Sequence, residues 1–410
     1  MNIRRRLLHI ALVGSLLCVF AHAAGGVRTV SAQLLSQADL EKLQELFEAG
    51  NTFLNKGDAQ QAVLKYTEAI AVAPHVAMPY VNRGVAYISL SKFQEAAADA
   101  DKALSLLVSG DQPSQYAAVA HQVKGAALQS QGNYSLAVEH YTKSILLKPD
   151  DARYVNNRGN AYRLLKKYDD AINDYTKSIE LDPKFAMPYI NRSSMYLRQK
   201  NTAAALKDVE EALRLDNSNE TAYYTRASAY IELKKFPEAL ADYDRAISLK
   251  PRSEFYHGRS RLRFLQNQFE MAIADQTEAI RLDPSNVNAY SDRAVAYGRL
   301  GKNQLAIDDI RKAIALKSGS ARLQYNLGYL LYKTGQFDAA VAEATKVMAL
   351  APNWRAPYTL RSASYAKLGN AAKAKADQAI AAKMPAGAPP IEDMIFFEVE
   401  IQTDVETEQP

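Results

Sequence analysis

The chain has 410 residues, 48% of them apolar and 23% charged, the make-up of a globular protein or a repeat array and not of a fibrous or disordered chain. A net charge of +5, from 50 Lys and Arg against 45 Asp and Glu, is too small for a dedicated nucleic-acid binder of this size, so no nucleic-acid partner is expected. One Cys excludes an intramolecular disulfide framework, a thiolate zinc site and an iron–sulfur cluster.

Arg4, Arg5 and Arg6 precede an apolar stretch from Leu7 to Phe20 and the small-x-small pattern Ala21-His22-Ala23. A basic start, an apolar middle and a cleavage pattern predict a secretory signal peptide over residues 1–23. The stretch is shorter than the roughly 20 residues a helix needs to cross a bilayer. No integral membrane span is therefore expected after cleavage, and Cys18 leaves with the signal. The expected location is outside the cytoplasm, in a bacterial periplasm or cell envelope, or else extracellular. Residues 24–42 read as a short lead-in.

From Leu43 the sequence repeats with a period of 34, the units beginning at Leu43, Ala77, Ala118, Ala152, Ala186, Glu220, Ser253, Val287, Ala321 and Arg355. Two units fill residues 43–110. A turn-rich insertion at 111–117, with Asp111-Gln112-Pro113-Ser114, predicts a hinge, and eight units follow over 118–388. Each unit reads as two amphipathic helices. In the fourth, Val155, Gly159 and Tyr162 recur at helical spacing, a turn follows near Lys166-Lys167, and Ala171, Tyr175 and Ser178 mark a second helix ended by Pro183.

Small residues at the eighth place (Gly50, Gly84, Gly125, Gly159, Gly328), Ala at the twentieth in every unit, aromatics at the fourth, eleventh and twenty-fourth, and Pro at the thirty-second resemble the tetratricopeptide repeat (TPR) family. The resemblance implies an all-α, right-handed superhelical solenoid of about ten helix-turn-helix repeats whose inner wall, lined by the first helix of each, holds peptides or partner proteins. Sixteen of the 24 tyrosines occupy those three aromatic places, where they are expected to be core.

Seven units carry Arg at the seventh place, and the same seven carry Asp at the twenty-third: Arg83 with Asp99, Arg158 with Asp174, Arg192 with Asp208, Arg226 with Asp242, Arg259 with Asp275, Arg293 with Asp309, and Arg361 with Asp377. Units one, three and nine lack both. Pairing with the preceding unit would satisfy four arginines and pairing within a unit satisfies all seven, so an intra-repeat ion pair linking the two helices is expected.

No phosphate-binding glycine loop, nucleophile elbow, zincin motif or calcium loop is present, and His75, His121, His140 and His257 read as scattered packing or surface histidines. No enzyme activity, metal or cofactor is expected. The expected function is a protein-interaction scaffold, with a chaperone-like or regulatory adaptor for one client or protease as the second reading.

On the inner wall, unit four presents Asn156, Asn160 and Arg163, with Arg153 beside them, unit six Tyr224, and unit seven His257, Arg261 and Phe264. Arg322, Tyr325, Tyr329 and Tyr332 of unit nine make the sharpest candidate, rigid amphipathic rings beside a cation. At the sixth place Asn82, Asn157, Asn191 and Asn326 can bond a bound peptide's backbone. Asn51 and Asn82 match places at which chaperone-tail clamps of the family carry asparagine, yet Phe47, Val119 and Val123 stand where such clamps need cations, so that specificity is not expected.

Residues 389–410 form a tail whose seven acids, from Glu392 to Glu408, meet no Lys or Arg, and whose Met394-Ile395-Phe396-Phe397 is apolar. Without the leader's three arginines the charge is +2, divided into a tail at −7 and a body at +9. The tail is expected to fold back on the body, and an acidic partner would meet the same charge.

Overall fold

The computed structural model describes residues 35–108 and 114–385, so the expected signal peptide, the first part of the insertion and the acidic tail lie outside the described residues. Among the described residues every regular element is an α-helix, and twenty helices follow one another as ten pairs, A and B. The A helices of repeats 2 and 4 to 10, Ala77–Ser89 and Ala152–Leu164 among them, start at the unit boundaries drawn from the sequence. Those of repeats 1 and 3 start earlier, at Gln37 and Ser114. Gln37 is fixed by Ser36, whose hydroxyl accepts from the Asp39 N–H while its own N–H donates to the Asp39 carboxylate.

The chain divides into two compact units, repeats 1 to 5 up to Asn217 and repeats 6 to 10 from Ser218. Within the first unit the B helix of repeat 2 packs against the A helix of repeat 3. In each unit neighbouring helices stack in chain order, the arrangement of a solenoid.

The twentieth place explains the close approach of A to B. Its ten alanines, from Ala62 to Ala374, are at most 5% exposed. The eighth and twenty-fourth places then share the space beside them. Tyr66, Tyr141 and Tyr175 are buried against Gly50, Gly125 and Gly159, where a Cβ would come within 2.5, 2.7 and 2.8 Å of the ring. In repeat 6 the eighth place is Ala227, and Tyr243 leans instead on Gly258 of repeat 7, 2.8 Å from where a Cβ would stand.

Each A helix ends in a residue of positive φ at the fifteenth place: Gly57, Gly132, Gly301, Gly335 and Gly369 in five repeats, Ser91, Lys166, Lys200, Lys234 and Asn267 in the others. Gly takes this conformation without the clash a Cβ makes. Nothing stands within 4 Å of a Cβ placed on Gly57 or Gly301, so the turn is open and only the backbone matters. Lys166→Gly, Lys200→Gly and Lys234→Gly are each expected to stabilise the protein by about 0.5–1 kcal/mol, and Gly301→Ala to destabilise it similarly. Thermal unfolding of the single variants checks this, and lysine variants less stable than the parent would contradict it.

Candidate interaction surface

All seven arginines of the seventh place meet the aspartate of their own repeat through two parallel hydrogen bonds. In Arg192, Nε and Nη2 donate to the two oxygens of Asp208, both at 2.8 Å, and the other six pairs span 2.6–3.0 Å. The aspartates are 3–7% exposed. The hydrogen bonds to Asp come first among the causes that raise the guanidinium pKa at Arg83, Arg158, Arg192, Arg226 and Arg361.

The third guanidinium nitrogen does something that the pairing within a unit left out. Nη1 reaches back to the twenty-fifth place of the preceding repeat, where it donates to Thr67 from Arg83, Thr142 from Arg158, Thr176 from Arg192, Thr277 from Arg293 and Thr345 from Arg361, at 3.0–3.3 Å. Arg259 meets Asp244 there at 2.5 Å. One side chain thus joins its own A and B helices and pins them to the repeat before. The Thr and Asp at the twenty-fifth place were the available signal.

The tyrosines complete this node. Those of the twenty-fourth place are core, but those of the fourth and eleventh are mostly half-buried and flank the guanidinium: Arg83 lies 5.6 and 5.7 Å from the rings of Tyr80 and Tyr87, Arg226 5.5 and 5.7 Å from Tyr223 and Tyr230. Every tyrosine at those two places belongs to a repeat with the Arg–Asp pair. Their expected core role is corrected accordingly: they cover the cation's faces, and Tyr80, Tyr189 and Tyr358 also donate to the carbonyl of the proline six residues earlier.

Repeat 3 lacks the pair and builds something else from two histidines read as scattered. His121, at the fourth place, and His140, at the twenty-third, bring their Nδ1 atoms to 3.0 Å. Burial pushes the His121 imidazole down to about 4, with His140 adding to the shift, and lowers His140 and His257 as well. These groups bind protons in the unfolded chain near 6.5 but resist them when folded. The stability these groups contribute is therefore fully present above pH 6.5 and is lost as pH drops, in the case of His121 down to about pH 4. His121→Gln/His140→Gln is expected to remove about 2 kcal/mol of that acid sensitivity, allowing for partial solvent exposure, and an unchanged profile of unfolding temperature against pH would contradict it.

Three of the four sixth-place asparagines are tied between neighbouring A helices. Asn82 donates to Asn51, which also accepts from the Tyr66 hydroxyl; Asn157 donates to Gln122 and Asn191 to Asn156, each at 2.9 Å. Asn160 accepts from Tyr175 at 2.9 Å. Asn326 is fully buried, its amide without a hydrogen-bond partner among the described residues. His257 sits between Gln276, 3.2 Å away, and Asp292, 3.8 Å away. The expected ladder for a peptide backbone is a ladder within the protein.

The aromatic set of repeat 9 is also largely internal. Tyr325 is 3% exposed with its ring 4.6 Å from that of Trp354, Tyr332 lies 5.6 Å from Phe337, and Tyr329 packs into the same core. Arg322 at the start of that helix is partly buried. Tyr224 packs between Tyr243 and Phe255 at 5.8 and 5.1 Å. Accessible or partly accessible side chains of the A helices include Arg163, Leu197 and Arg198 in repeats 4 and 5, and Arg261, Phe264 and Leu265 in repeat 7. Leu265 is 65% exposed, and the Phe264 ring lies 5.2 Å from that of Phe269 with the planes steeply inclined at 64°. Arg261 makes no salt bridge among the described residues, and Arg299, Lys333 and Lys367 at the thirteenth place of repeats 8 to 10 are exposed.

No group of three or more His, Cys, Asp or Glu among the described residues is arranged to hold a metal, and no described helix is long and apolar enough to cross a membrane. Profiles described as tetratricopeptide repeat match residues 47–113, 118–151, 152–185, 188–219, 221–253 and 291–357, and one described as TPR repeat matches 261–301. The chain is 34% identical over 111 residues to the small glutamine-rich tetratricopeptide repeat-containing protein 2 of Saccharomyces cerevisiae, covering 27% of this chain and 30% of that one. It is 35% identical over 112 residues to the protein STIP1 homolog of Dictyostelium discoideum, covering 26% and 19%. The matches thus span less than a third of those relatives' length. Among solved structures the human IFIT1 dimer with PPP-AAAA aligns at a TM-score of 0.52 and 15% identity, over 86% of this chain and 91% of that one, a likeness of fold alone.

Proposed function

Because the chain belongs to the tetratricopeptide repeat family, whose members mediate protein–protein interaction, we propose that it is an exported, non-enzymatic scaffold whose A-helix wall takes acidic peptide segments or acidic partner surfaces. The observation that carries this is the sorting of cations. Seven arginines are consumed inside the repeats by buried carboxylates, whereas Arg261 stands on the accessible wall with no ion pair, one turn from Phe264 and Leu265. An apolar ring beside an uncompensated guanidinium is the make-up of an interaction hot spot. The leader of residues 1–23 supports export, and N-terminal sequencing of the protein from its own cell is expected to begin at Ala24.

The test is a fluorescence-anisotropy titration of acidic peptides carrying one or two apolar side chains, with the residue 24–410 chain. Affinity is expected to fall about tenfold or more in Arg261→Ala/Leu265→Ala, with an unchanged unfolding temperature because Leu265 is 65% exposed, and to weaken with added salt. Equal binding by parent and variant, insensitive to salt, would remove the reading. The acidic tail is the nearest ligand of this chemistry, so truncation after Pro390 is expected to tighten peptide binding by vacating the wall; unchanged affinity would mean that the tail does not compete there.

A further inference from the structure

Repeat 3 departs from its neighbours at three of the node's places. Lys124 replaces the arginine and reaches Asp101 of repeat 2 at 2.6 Å, His140 replaces the aspartate, and His121 replaces the fourth-place tyrosine. The two imidazoles face each other across the A and B helices, centroids 5.1 Å apart and planes at 52°, each ring partly exposed.

A separation of 3.0 Å between the Nδ1 atoms suits one shared proton, and it also suits one shared ion. With metal–nitrogen bonds of about 2.0–2.1 Å, two nitrogens so placed subtend about 94° at the metal. That is the cis angle of square-planar and octahedral ions; a tetrahedral ion needs them about 3.3 Å apart. We propose that His121 and His140 form a two-histidine site for a late first-row divalent ion, copper(II) above all, with water filling the remaining positions. Copper(II) combines the right-angled geometry with the strongest affinity for imidazole among these ions.

The surroundings favour it. The cations nearest the rings are already matched, Lys124 by Asp101 and Lys143 by Glu139, both at 2.6 Å, so they oppose an incoming ion less than bare charges would. The ligands sit on two packed helices of one repeat, which holds them in place before binding. No third protein ligand joins them among the described residues, which leaves the site open to water.

Copper(II) chloride alone, titrated into the untagged full-length chain, is expected to give one tight equivalent whose electron paramagnetic resonance spectrum carries the splitting of two imidazole nitrogens. Lys124→Arg/His140→Asp rebuilds the Arg–Asp pair of the seven other repeats and so preserves the fold; it is expected to bind at least tenfold more weakly and to lose the two-nitrogen signature. His257→Gln is expected to change neither. Equal binding by parent and double variant, or a spectrum without paired imidazole nitrogens, would overturn the proposal.

Discussion

Arg192→Met is expected to lower the stability of the unit formed by repeats 1 to 5 by about 3 kcal/mol. The side chain supplies two hydrogen bonds of 2.8 Å to Asp208, which is 5% exposed, and a third of 3.0 Å to Thr176 of the repeat before. Removing it leaves a carboxylate buried without its cation, a loss of about 3–5 kcal/mol in comparable pairs. Arg192→Lys keeps the charge but not the fork, and is expected to recover at most half of that. The double variant Arg192→Met/Asp208→Leu removes both charges, so its cost should be smaller than that of Arg192→Met alone. Urea unfolding of the three variants measures this. Arg214→Met serves as reference, since Arg214 pairs with Glu211 at the surface and should shift stability by less than about 1 kcal/mol. A loss in Arg192→Met no larger than the reference would refute the buried node as a source of stability.

Gly159→Ala carries the second large effect, a destabilisation of about 2–3 kcal/mol. A methyl group there would stand 2.8 Å from the Tyr175 ring and 3.2 Å from the Asp174 Cβ, and Tyr175 is fully buried with its hydroxyl held by Asn160. Overpacking of this kind outweighs the roughly 1 kcal/mol that Ala gains over Gly within a helix. Repeat 8 shows the alternative solution, Ala294 with Ile310. Gly159→Ala/Tyr175→Ile is therefore expected to be more stable than Gly159→Ala alone. The same reasoning places Gly258→Ala among the damaging substitutions, because Tyr243 leans on that glycine from the neighbouring repeat. Thermal unfolding that ranks the double variant below the single would show that the ring is not the obstacle.

What one sequence revealed, and what it concealed, follows from whether the contact lies inside a repeat or between repeats. Helix starts, the alanine column and the Arg–Asp pairing recur at fixed places within a unit, so ten copies make them legible without a structure. The contact from Arg83 to Thr67 joins the seventh place of one unit to the twenty-fifth of another, and no count within a unit exposes it. The asparagines were misread for a related reason: Asn191 has the same chemistry for a peptide amide as for Asn156, and only the neighbouring helix decides which it meets. Tyr325 looked like a hot spot because Trp354, which covers it, belongs to the next repeat. His121 and His140 stand nineteen residues apart, a spacing that becomes proximity only because the fourth place of A faces the twenty-third of B.

The node is missing in repeat 9, where Leu327 stands at the seventh place, and its joint with repeat 8 is made of Ile307, Ile310, Leu323, Leu327 and Leu330 instead. Directed hydrogen bonds and apolar contact respond differently to temperature: the hydrophobic contribution weakens on cooling. The two kinds of joint therefore set a thermal polarity inside repeats 6 to 10. On cooling, the oily seam before Ala321 therefore loses a larger share of its strength than the joint between repeats 7 and 8, which is also pinned by Arg293 to Thr277.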